Sequence, residues 1–543
     1  MYALLVLGPI IIALLLMVIF RLSAAITLPV AYAGSVIVAL VVWKVELKAI
    51  FAMTILGSLS AVDILFIIAG AIFLLNVLNA SGCIEVINRF FSSVSKDRRV
   101  QVLIIGYMFC AFIEGAAGFG TPAALAAPLL VALGFPLMAA AMITLICNSA
   151  PVCFGAVGVP TITAVSVVQT NIKATGMDPA DTAAEIYGNC AILMGIAGII
   201  VPILAVSMMV FFFEGNYNSK IRAILEVTPL ALLSGISFSA TYIAATFFMG
   251  PELPSIIGSI VGLAVLLFAI KFNFLIPDTC WEFKENVKTS ETETIQERIE
   301  RDKKEMSLLQ AAAPYLIIAI ILLVTRLPQL GLKDWIARQA LVIPNILGYE
   351  DIAFSWKWLN NPGIFPFILV AVCLVLLYRK RLSVKGIASA TFNQIKTAAI
   401  ALVAGVSLVK VLQFSYINNS GMDGMLTETA KIIADILGQA YPLAAPLIGV
   451  IGAFVSGSCT VSNTLFSALQ FDTAHILGLP VATIVAMQSA GAAIGNMVCV
   501  NNVVAACATT GAIGCEGKII LRNMIPIMIL YCMIVVETYL LFL

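Results

Sequence analysis

The chain contains 543 residues, of which 61% are hydrophobic and only 11% charged, and its formal net charge is +1. Because ordinary soluble domains carry roughly a quarter charged residues, this composition excludes soluble enzymes, nucleic-acid binders and secreted scaffolds. A net charge this close to zero also gives no electrostatic reason to expect a nucleic-acid partner. The sequence therefore predicts an all-α, polytopic membrane protein of the cell (plasma or inner) membrane.

Apolar windows long enough for membrane-spanning helices recur from one end of the chain to the other. In chain order they are 3–20, 25–43, 62–79, 101–113, 135–150, 189–213, 227–248, 255–271, 308–325, 363–378, 397–413, 442–456, 478–493 and 523–543. Four further apolar segments, each interrupted by small or polar residues, lie at 115–133, 152–170, 458–470 and 495–512. We expect about 12 to 14 transmembrane helices together with re-entrant segments.

A strongly charged segment, 272–306, divides the chain near its middle and is typical of a solvated linker with an amphipathic helix. The basic cluster at 379–385 favours the cytoplasm, and the spacing of the windows puts the linker on the same side. The acidic loop around Asp178 then falls outside. We predict an N-terminal repeat at 1–271, a charged cytoplasmic linker at 272–306 and a C-terminal repeat at 307–543.

The two halves share motifs in the same order. Residues 112–122 align with 454–464, 133–136 with 477–480, 148–151 with 488–491, and 155–156 with 495–496. Basic residues precede the first copy, whereas the second copy follows a loop predicted to lie outside. The pattern predicts two inverted-topology repeats, each with a re-entrant hairpin and a broken helix, at about 112–170 and 454–512.

Broken helices in a bilayer offer free backbone groups, which survive only against protein, water or a bound solute. The helix N-termini at such breaks suit a carboxylate, and nearby glycines allow close approach to the main chain. The predicted substrate-binding residues are Gly115, Gly118, Gly120, Thr121, Asn148, Ser149, Ser458, Thr460, Ser462, Asn463, Gln488 and Ser489. The alternative is that these small residues only pack helices closely; their duplication at matching positions favours binding.

Glu114 is the acidic residue of the first broken segment. A charge at mid-membrane costs at least roughly 2.5 kcal/mol, which favours a functional role. Desolvation disfavours the charged form of a carboxylate, so we predict that Glu114 couples transport to a proton. The alternative is a hydrogen-bonded glutamate that fixes the hairpin tip. Lys410 is either a countercharge for an anion or a lysine reaching towards the end of its span.

Neither a metal site nor a cofactor is expected. His475 is the only histidine and is predicted to lie in a loop, and most of the 12 cysteines lie in apolar runs without a CxxC pair. Such thiols act as small hydrophobic groups.

Five segments closely resemble the L-lactate permease family. They are FIEGAAGFGTPAALAAPLLVALGF (112–135), NSAPVCFGAVGVP (148–160), GPELPSIIGSIV (250–261), GSCTVSNTLFSALQ (457–470) and AACATTGAIGCEGK (505–518). The resemblance implies uptake of lactate, and in some members glycolate, driven by the proton gradient. It also implies the ion-transporter superfamily, whose members have inverted repeats with paired re-entrant hairpins and usually work as dimers by an elevator motion. Ser462-Asn463-Thr464 is similar to the hairpin-tip motif of sodium-coupled dicarboxylate symporters in that superfamily.

The chain departs from the family pattern at three places. An aspartate often stands at the position of Cys459, a lysine at Asn496 and a Pro-Gln pair at Val500-Asn501. Loss of one acid together with one base keeps the net charge constant, as expected if the two had formed an ion pair. These positions leave the substrate and the coupling ion open.

The leading hypothesis is a proton-coupled symporter for a small monocarboxylate such as L-lactate, glycolate or D-lactate. One alternative is a sodium-coupled symporter for another small organic anion, supported by the Ser-Asn-Thr tip. An alternative of another class is an anion channel, which inverted repeats with paired hairpins suit less well. The expected partners are the small carboxylate, the lipid bilayer and a second copy of the chain.

Overall fold

The structure is a computed structural model. It describes residues 5–6, 8–9, 11–12, 15–16, 20, 22, 24–83, 86, 94–116, 118, 121–217, 219–284, 306–326, 331–361, 363–378 and 382–543. Most of the predicted linker (285–305), half of the first apolar window and the basic residues 379–381 therefore lie outside the described residues.

The described chain is almost entirely helical. Before the linker, the helices are α1 (Ala24–Val41), α2 (Leu47–Ser81), α3 (Arg98–Ala116), α4 (Thr121–Ala132), α5 (Leu137–Asn148), α6 (Gly155–Ala174), α7 (Pro179–Phe212), α8 (Lys220–Met249) and α9 (Pro254–Lys271). After it come α10 (Leu308–Arg326), α11 (Leu332–Arg338), α12 (Leu369–Leu377), α13 (Val384–Gln413), α14 (Met425–Leu437), α15 (Tyr441–Ser456), α16 (Cys459–Leu477), α17 (Val481–Gly495), α18 (Val500–Thr510) and α19 (Glu516–Leu541). An antiparallel pair of short strands, β1 (Leu341–Ile343) and β2 (Phe354–Trp356), lies between α11 and α12.

Within the described residues, eight helical stretches are long and apolar enough to cross a membrane, and six shorter apolar helices accompany them. Large apolar side chains on the outside of the bundle are exposed, such as Phe248, Leu376 and Leu540. Lipid, unlike water, is a favourable surrounding for such side chains. The prediction of an all-helical, multi-pass membrane protein is confirmed, whereas the number of 12 to 14 crossings stays a prediction.

The buried apolar side chains form two main cores. The larger core unites α3–α9 with α15–α19, and the smaller one is built on α1, α2 and α13. Val461, Leu465 and Phe466 of α16 belong to the smaller core, whereas α16 packs along α6 and α17 in the larger group. Helix α16 therefore lies at the boundary between the two.

Four helices of the larger core are interrupted within the segments that the sequence marked as broken. The interruptions lie between α3 and α4, α5 and α6, α15 and α16, and α17 and α18. At two of them the chain reverses at a left-handed glycine, Gly118 (φ 61°) and Gly457 (φ 83°). Glycine has no Cβ and adopts this conformation without steric cost.

His475 lies in the last turn of α16 and not in a loop, so that prediction was wrong. Its ring stacks on that of Phe471 at 6.4 Å between centroids. The helix continues past Asp472 and ends only at Gly478, which is left-handed with φ 67°. The polar residues near 472–475 suggested a turn, but the conformation that ends the helix belongs to the glycine.

Two aromatic side chains of the charged segment, Trp281 and Phe283, are buried, although most of residues 272–280 are exposed. The linker bounds of 272–306 stay a prediction. Trp281 is 1% exposed and packs against Phe283 at 4.8 Å between ring centroids. Its backbone oxygen accepts a hydrogen bond from the Arg98 N–H at 3.1 Å. The adjacent Arg99 is fully buried and pairs with Asp97 at 2.6 Å. The chain thus remains anchored to the N-terminal helices as far as Phe283.

Candidate functional site

A central cavity lies where the four interruptions meet. The described residues that line it are Glu114, Gly118, Val152, Gly155, Ala156, Pro160, Gly457, Ser458, Cys459, Thr460 and Asn496. About 280 Å³ of space lies between its walls, its open mouth included.

Glu114 supplies the acidic side chain of the cavity. It lies in the last turn of α3, is 3% exposed, and its Oε2 has no hydrogen-bond partner among the described residues. On the neighbouring helix α5, Asn148 Oδ1 accepts a hydrogen bond from the Cys110 thiol at 3.7 Å. A buried polar atom without a partner costs roughly 1 to 3 kcal/mol, so the enclosed Oε2 favours a protonated carboxyl.

Glycine at position 155 makes room for the Glu114 carboxyl. A Cβ at Gly155 would stand 2.3 Å from Glu114 Oε1, far inside contact distance. In the same way, a Cβ at Gly118 would stand 2.7 Å from the Cβ of Ala156. The first two interruptions therefore touch each other because a glycine stands on one side of each of these contacts.

The first turn of α6, next to the cavity, has a strained backbone. Three consecutive residues, Ala156 (φ 44°), Val157 (φ 58°) and Gly158 (φ 78°), are left-handed. This conformation costs a non-glycine residue roughly 1–2 kcal/mol and is rare for a β-branched one. Strain of this kind collects at ligand sites, where the surrounding structure holds it in place. This conformation could not be predicted from the sequence, because alanine and valine do not favour it.

The opposite wall of the cavity is the N-terminus of α16. Ser458 is its N-cap residue, but the Ser458 hydroxyl caps no backbone N–H. The first N–H groups of a helix have no partner within the helix, and the helix dipole makes this end attractive to an anion. No basic side chain appears among the lining residues that the structure describes. An anion would therefore be held by backbone N–H groups and not by a fixed cation.

Several predicted binding residues lie behind the lining and bond to other protein groups. Ser149 Oγ donates to the Ile146 oxygen at 2.7 Å. Asn463 Nδ2 donates to the Pro160 oxygen at 3.0 Å and to Ser489 Oγ at 2.9 Å. These contacts tie α16 to α6 and α17. Gly115 is packed against α9, since a Cβ there would stand 2.8 Å from the Ile256 nitrogen.

Ser462 and Gln488 belong to a buried hydrogen-bonded chain. Tyr441 OH donates to Gln470 Oε1 at 2.6 Å, and Gln470 Nε2 donates to Gln488 Oε1 at 2.8 Å. Gln488 Nε2 then donates to Ser462 Oγ at 3.0 Å. All four side chains are fully buried, so the chain fastens α15, α16 and α17 together.

Of the predicted binding residues, Gly118, Ser458 and Thr460 line the cavity beside Glu114. Gly120 and the side chain of Thr121 lie outside the described residues. For the whole predicted set, the role of substrate ligand stays a prediction.

Some lining residues were missed from the sequence. Cys459 and Asn496 stood out only as departures from the family pattern, yet both line the cavity. Their positions directly at the interruptions were the available signal. Lys410, by contrast, is not among the described lining residues. Its Nζ donates to Gln413 Oε1 at 2.9 Å and lies over the Phe414 ring. These contacts favour a lysine that extends towards the end of its span over a countercharge for an anion.

A multi-pass helical protein with a small central cavity between interrupted helices has the architecture of a solute permease. The family model described as L-lactate permease matches residues 2–543. The chain belongs to the L-lactate permease family.

Individual relatives match over most of their length. A Haemophilus influenzae relative is 30% identical over 487 residues, which cover 85% of this chain and 84% of that protein. The Escherichia coli K12 glycolate permease GlcA is 29% identical over 552 residues, covering 95% and 91%. The Bacillus subtilis L-lactate permease is 29% identical over 539 residues, covering 92% and 89%. The similarity therefore extends over both halves of the chain.

Proposed function

We propose that the protein takes up a small monocarboxylate, L-lactate or a close relative such as glycolate or D-lactate, in symport with a proton. The main observation in support of this proposal is that the uncapped N-terminus of α16 and the Glu114 carboxyl line one small cavity. The relatives named as lactate and glycolate permeases support the choice of substrate.

The geometry suggests how proton and anion are coupled. Backbone N–H groups at Ser458 to Thr460 would bind the substrate carboxylate. Two negative charges in one cavity of low polarity repel each other, so we expect the anion to bind when Glu114 carries a proton. The proton and the substrate anion then each strengthen the binding of the other by the same factor, and they cross the membrane together.

A sodium-coupled symporter is the second candidate, favoured by a specific observation. Asn463 Oδ1 is buried and lacks a hydrogen-bond partner in the described part of the chain. An amide oxygen of this kind is a suitable ligand for a hard cation. Against it, the Ser462 hydroxyl donates to the Gly449 oxygen and the Thr464 hydroxyl to the Thr460 oxygen.

We further infer two repeats of opposite topology, at 1–271 and 307–543, that alternate access to the cavity. The support is the matching order of interrupted helices and their crosswise packing, since α16 packs on α6 and α18 packs on α4. For the motion we propose that the larger core moves past the smaller one as an elevator. A homodimer follows only from the resemblance to the superfamily.

Uptake by the purified chain in proteoliposomes tests the proposal. We expect labelled lactate to accumulate above its external concentration when an inward proton gradient is imposed without sodium. Accumulation only under a sodium gradient would favour the second candidate. Flux that neither saturates nor exceeds equilibrium under either gradient would indicate an anion channel.

A further inference from the structure

Asn496 is a polar side chain of the cavity wall at the interruption between α17 and α18. It is 6% exposed and lines the cavity. Its Oδ1 accepts a hydrogen bond from Asn502 Nδ2 at 2.6 Å. Asn502 lies in the first turn of α18, is equally buried and is not among the described lining residues.

This hydrogen bond decides which end of the Asn496 amide faces the cavity. An asparagine side chain has one acceptor oxygen and one donor NH₂ group, which point in different directions. Because Oδ1 is turned towards Asn502, the NH₂ group is the end left for the cavity. In the described part of the chain Nδ2 donates to no protein group, yet it is not among the enclosed atoms without a partner. The Asn496 NH₂ group is thus a hydrogen-bond donor that is available to a ligand in the cavity.

A neutral donor at this place suits an uncharged oxygen of the substrate. The N-terminus of α16 already provides the groups for a carboxylate, and a small 2-hydroxy or 2-oxo acid carries one further oxygen, on carbon 2. Both a hydroxyl and a keto oxygen accept a hydrogen bond. A site with a donor for such an oxygen binds the analogue without it more weakly, because the donor is then left unpaired.

We propose that Asn496 is the specificity-determining donor for the oxygen on carbon 2 of the transported acid, and that Asn502 is its positioning residue. This inference rests on the proposed function, since it assumes that the cavity holds a small carboxylate. It adds the residue that would favour 2-oxygenated monocarboxylates such as lactate, glycolate and pyruvate over propionate.

The first experiment compares inhibition of labelled-lactate uptake by unlabelled lactate, pyruvate and propionate in proteoliposomes. For the unmodified chain we expect propionate to bind about tenfold more weakly than lactate. Asn496→Leu keeps the size of the side chain and removes the donor. It should weaken the binding of lactate and leave the binding of propionate nearly unchanged. The ratio of the lactate affinity to the propionate affinity should therefore fall towards one. The matched control is Asn189→Leu: Asn189 is also buried but bonds to Thr483, so the ratio should stay as in the unmodified chain.

The second experiment changes Asn502, which does not line the cavity. Asn502→Asp offers only acceptor oxygens, so the Asn496 amide should turn and donate its NH₂ group to the new carboxylate, leaving Oδ1 towards the cavity. We expect the lactate-to-propionate ratio to fall as in Asn496→Leu. In the double variant Asn496→Leu/Asn502→Asp the ratio should fall no further than in Asn496→Leu, because Asn502 acts through Asn496.

Two results overturn the inference while leaving the proposed function intact. One is an equal loss of affinity for lactate and for propionate in Asn496→Leu. The other is an unchanged ratio in Asn502→Asp when its uptake and thermal stability show that the protein is folded. Failure of the proposed function itself is distinguishable, since the unmodified chain would then accumulate none of these monocarboxylates under any gradient.

Discussion

Glu114 combines burial with a carboxyl oxygen that lacks a hydrogen-bond partner among the described residues. Gly155 leaves the carboxyl space on the α6 side. Oε2 is left without a partner in the described chain. A glutamate that only pinned the hairpin tip would be expected to use both oxygens, so the free oxygen favours the coupling role.

Glu114→Gln should separate coupling from binding. The amide keeps the size of the side chain but cannot gain and lose a proton, so uphill accumulation of labelled lactate under a proton gradient should be lost. Exchange of labelled for unlabelled lactate across the same membrane should persist, because exchange needs no net proton movement. Equal loss of both activities would make Glu114 structural instead.

Gly155→Ala should disturb the site through a single methyl group. The new Cβ would lie 2.3 Å from Glu114 Oε1, so the carboxyl or the strained start of α6 must shift. We expect both lactate exchange and uphill uptake to fall at least tenfold, measured in proteoliposomes at equal protein content. Gly517→Ala is the control, because nothing lies within 4 Å of a Cβ there, and its transport should be unchanged.

For individual residues, the sequence predicted the glutamate and several small residues of the cavity, but not which polar groups face it. Ser458 and Thr460 do, whereas Gln488 and Ser462 hydrogen-bond to each other. In a helix buried on all sides, polarity does not tell a ligand from a side chain satisfied by its neighbour. Only the three-dimensional pairing of α16 with α17 decides it.

Among the elements, the first turn of α3 is held by a buried ion pair. Arg99 and Asp97 are nearly inaccessible, and the remaining Arg99 donors go to the backbone oxygens of Ala223 and Thr279 at 2.6 Å each. These bonds join α3, α8 and the start of the charged segment. Without Asp97 the buried Arg99 charge would be compensated only by the partly exposed Glu226, at 3.7 Å, and breaking a buried pair costs far more than the pair itself contributes.

Asp97→Asn should therefore destabilise the protein by about 3–5 kcal/mol. The measurement is thermal unfolding of the purified chain in detergent, where the midpoint should fall clearly. Lys431→Gln on α14 is the matched control: its side chain is 49% exposed and pairs with Asp423. Exposed pairs contribute only about 0–1 kcal/mol, so its midpoint should hardly move. Equal shifts for the two variants would contradict the role of the buried pair.

For the helices, hydropathy located most elements, and their Gly-rich composition marked the four interruptions. The anchoring of Trp281 was not foreseen, because the charges that follow it dominate the local composition. Its burial depends on Gly215, where a Cβ would stand 2.3 Å from the Trp281 ring. A contact between residues so distant in sequence leaves no local pattern.

The whole molecule has two cores joined by an apolar boundary. A second cavity lies on it, lined by apolar groups and one serine: Leu28, Ala31, Gly405, Leu408, Gly452, Ser456, Val461, Leu465 and Phe466. It separates α1 and α13 from α15 and α16. An apolar boundary with empty space resists sliding less than a hydrogen-bonded one, since no directional bonds must break.

Gly405→Leu should fill part of this boundary. If the cores move past each other during transport, the added side chain should lower the maximal rate of lactate uptake several-fold while leaving the KM nearly unchanged. Both are measured from initial rates in proteoliposomes. Gly517→Leu, placed in open space, should change neither. A raised KM with an unchanged maximal rate would argue against movement along this boundary.

The crosswise construction of the cavity also bears on biosynthesis. Glu114 belongs to the first quarter of the chain and Asn496 to its last tenth. A ribosome must therefore translate nearly the whole message before the carboxyl acquires its opposite wall. Until then Glu114 lacks the groups that enclose it in the folded protein, and an unenclosed acidic side chain within the membrane is costly.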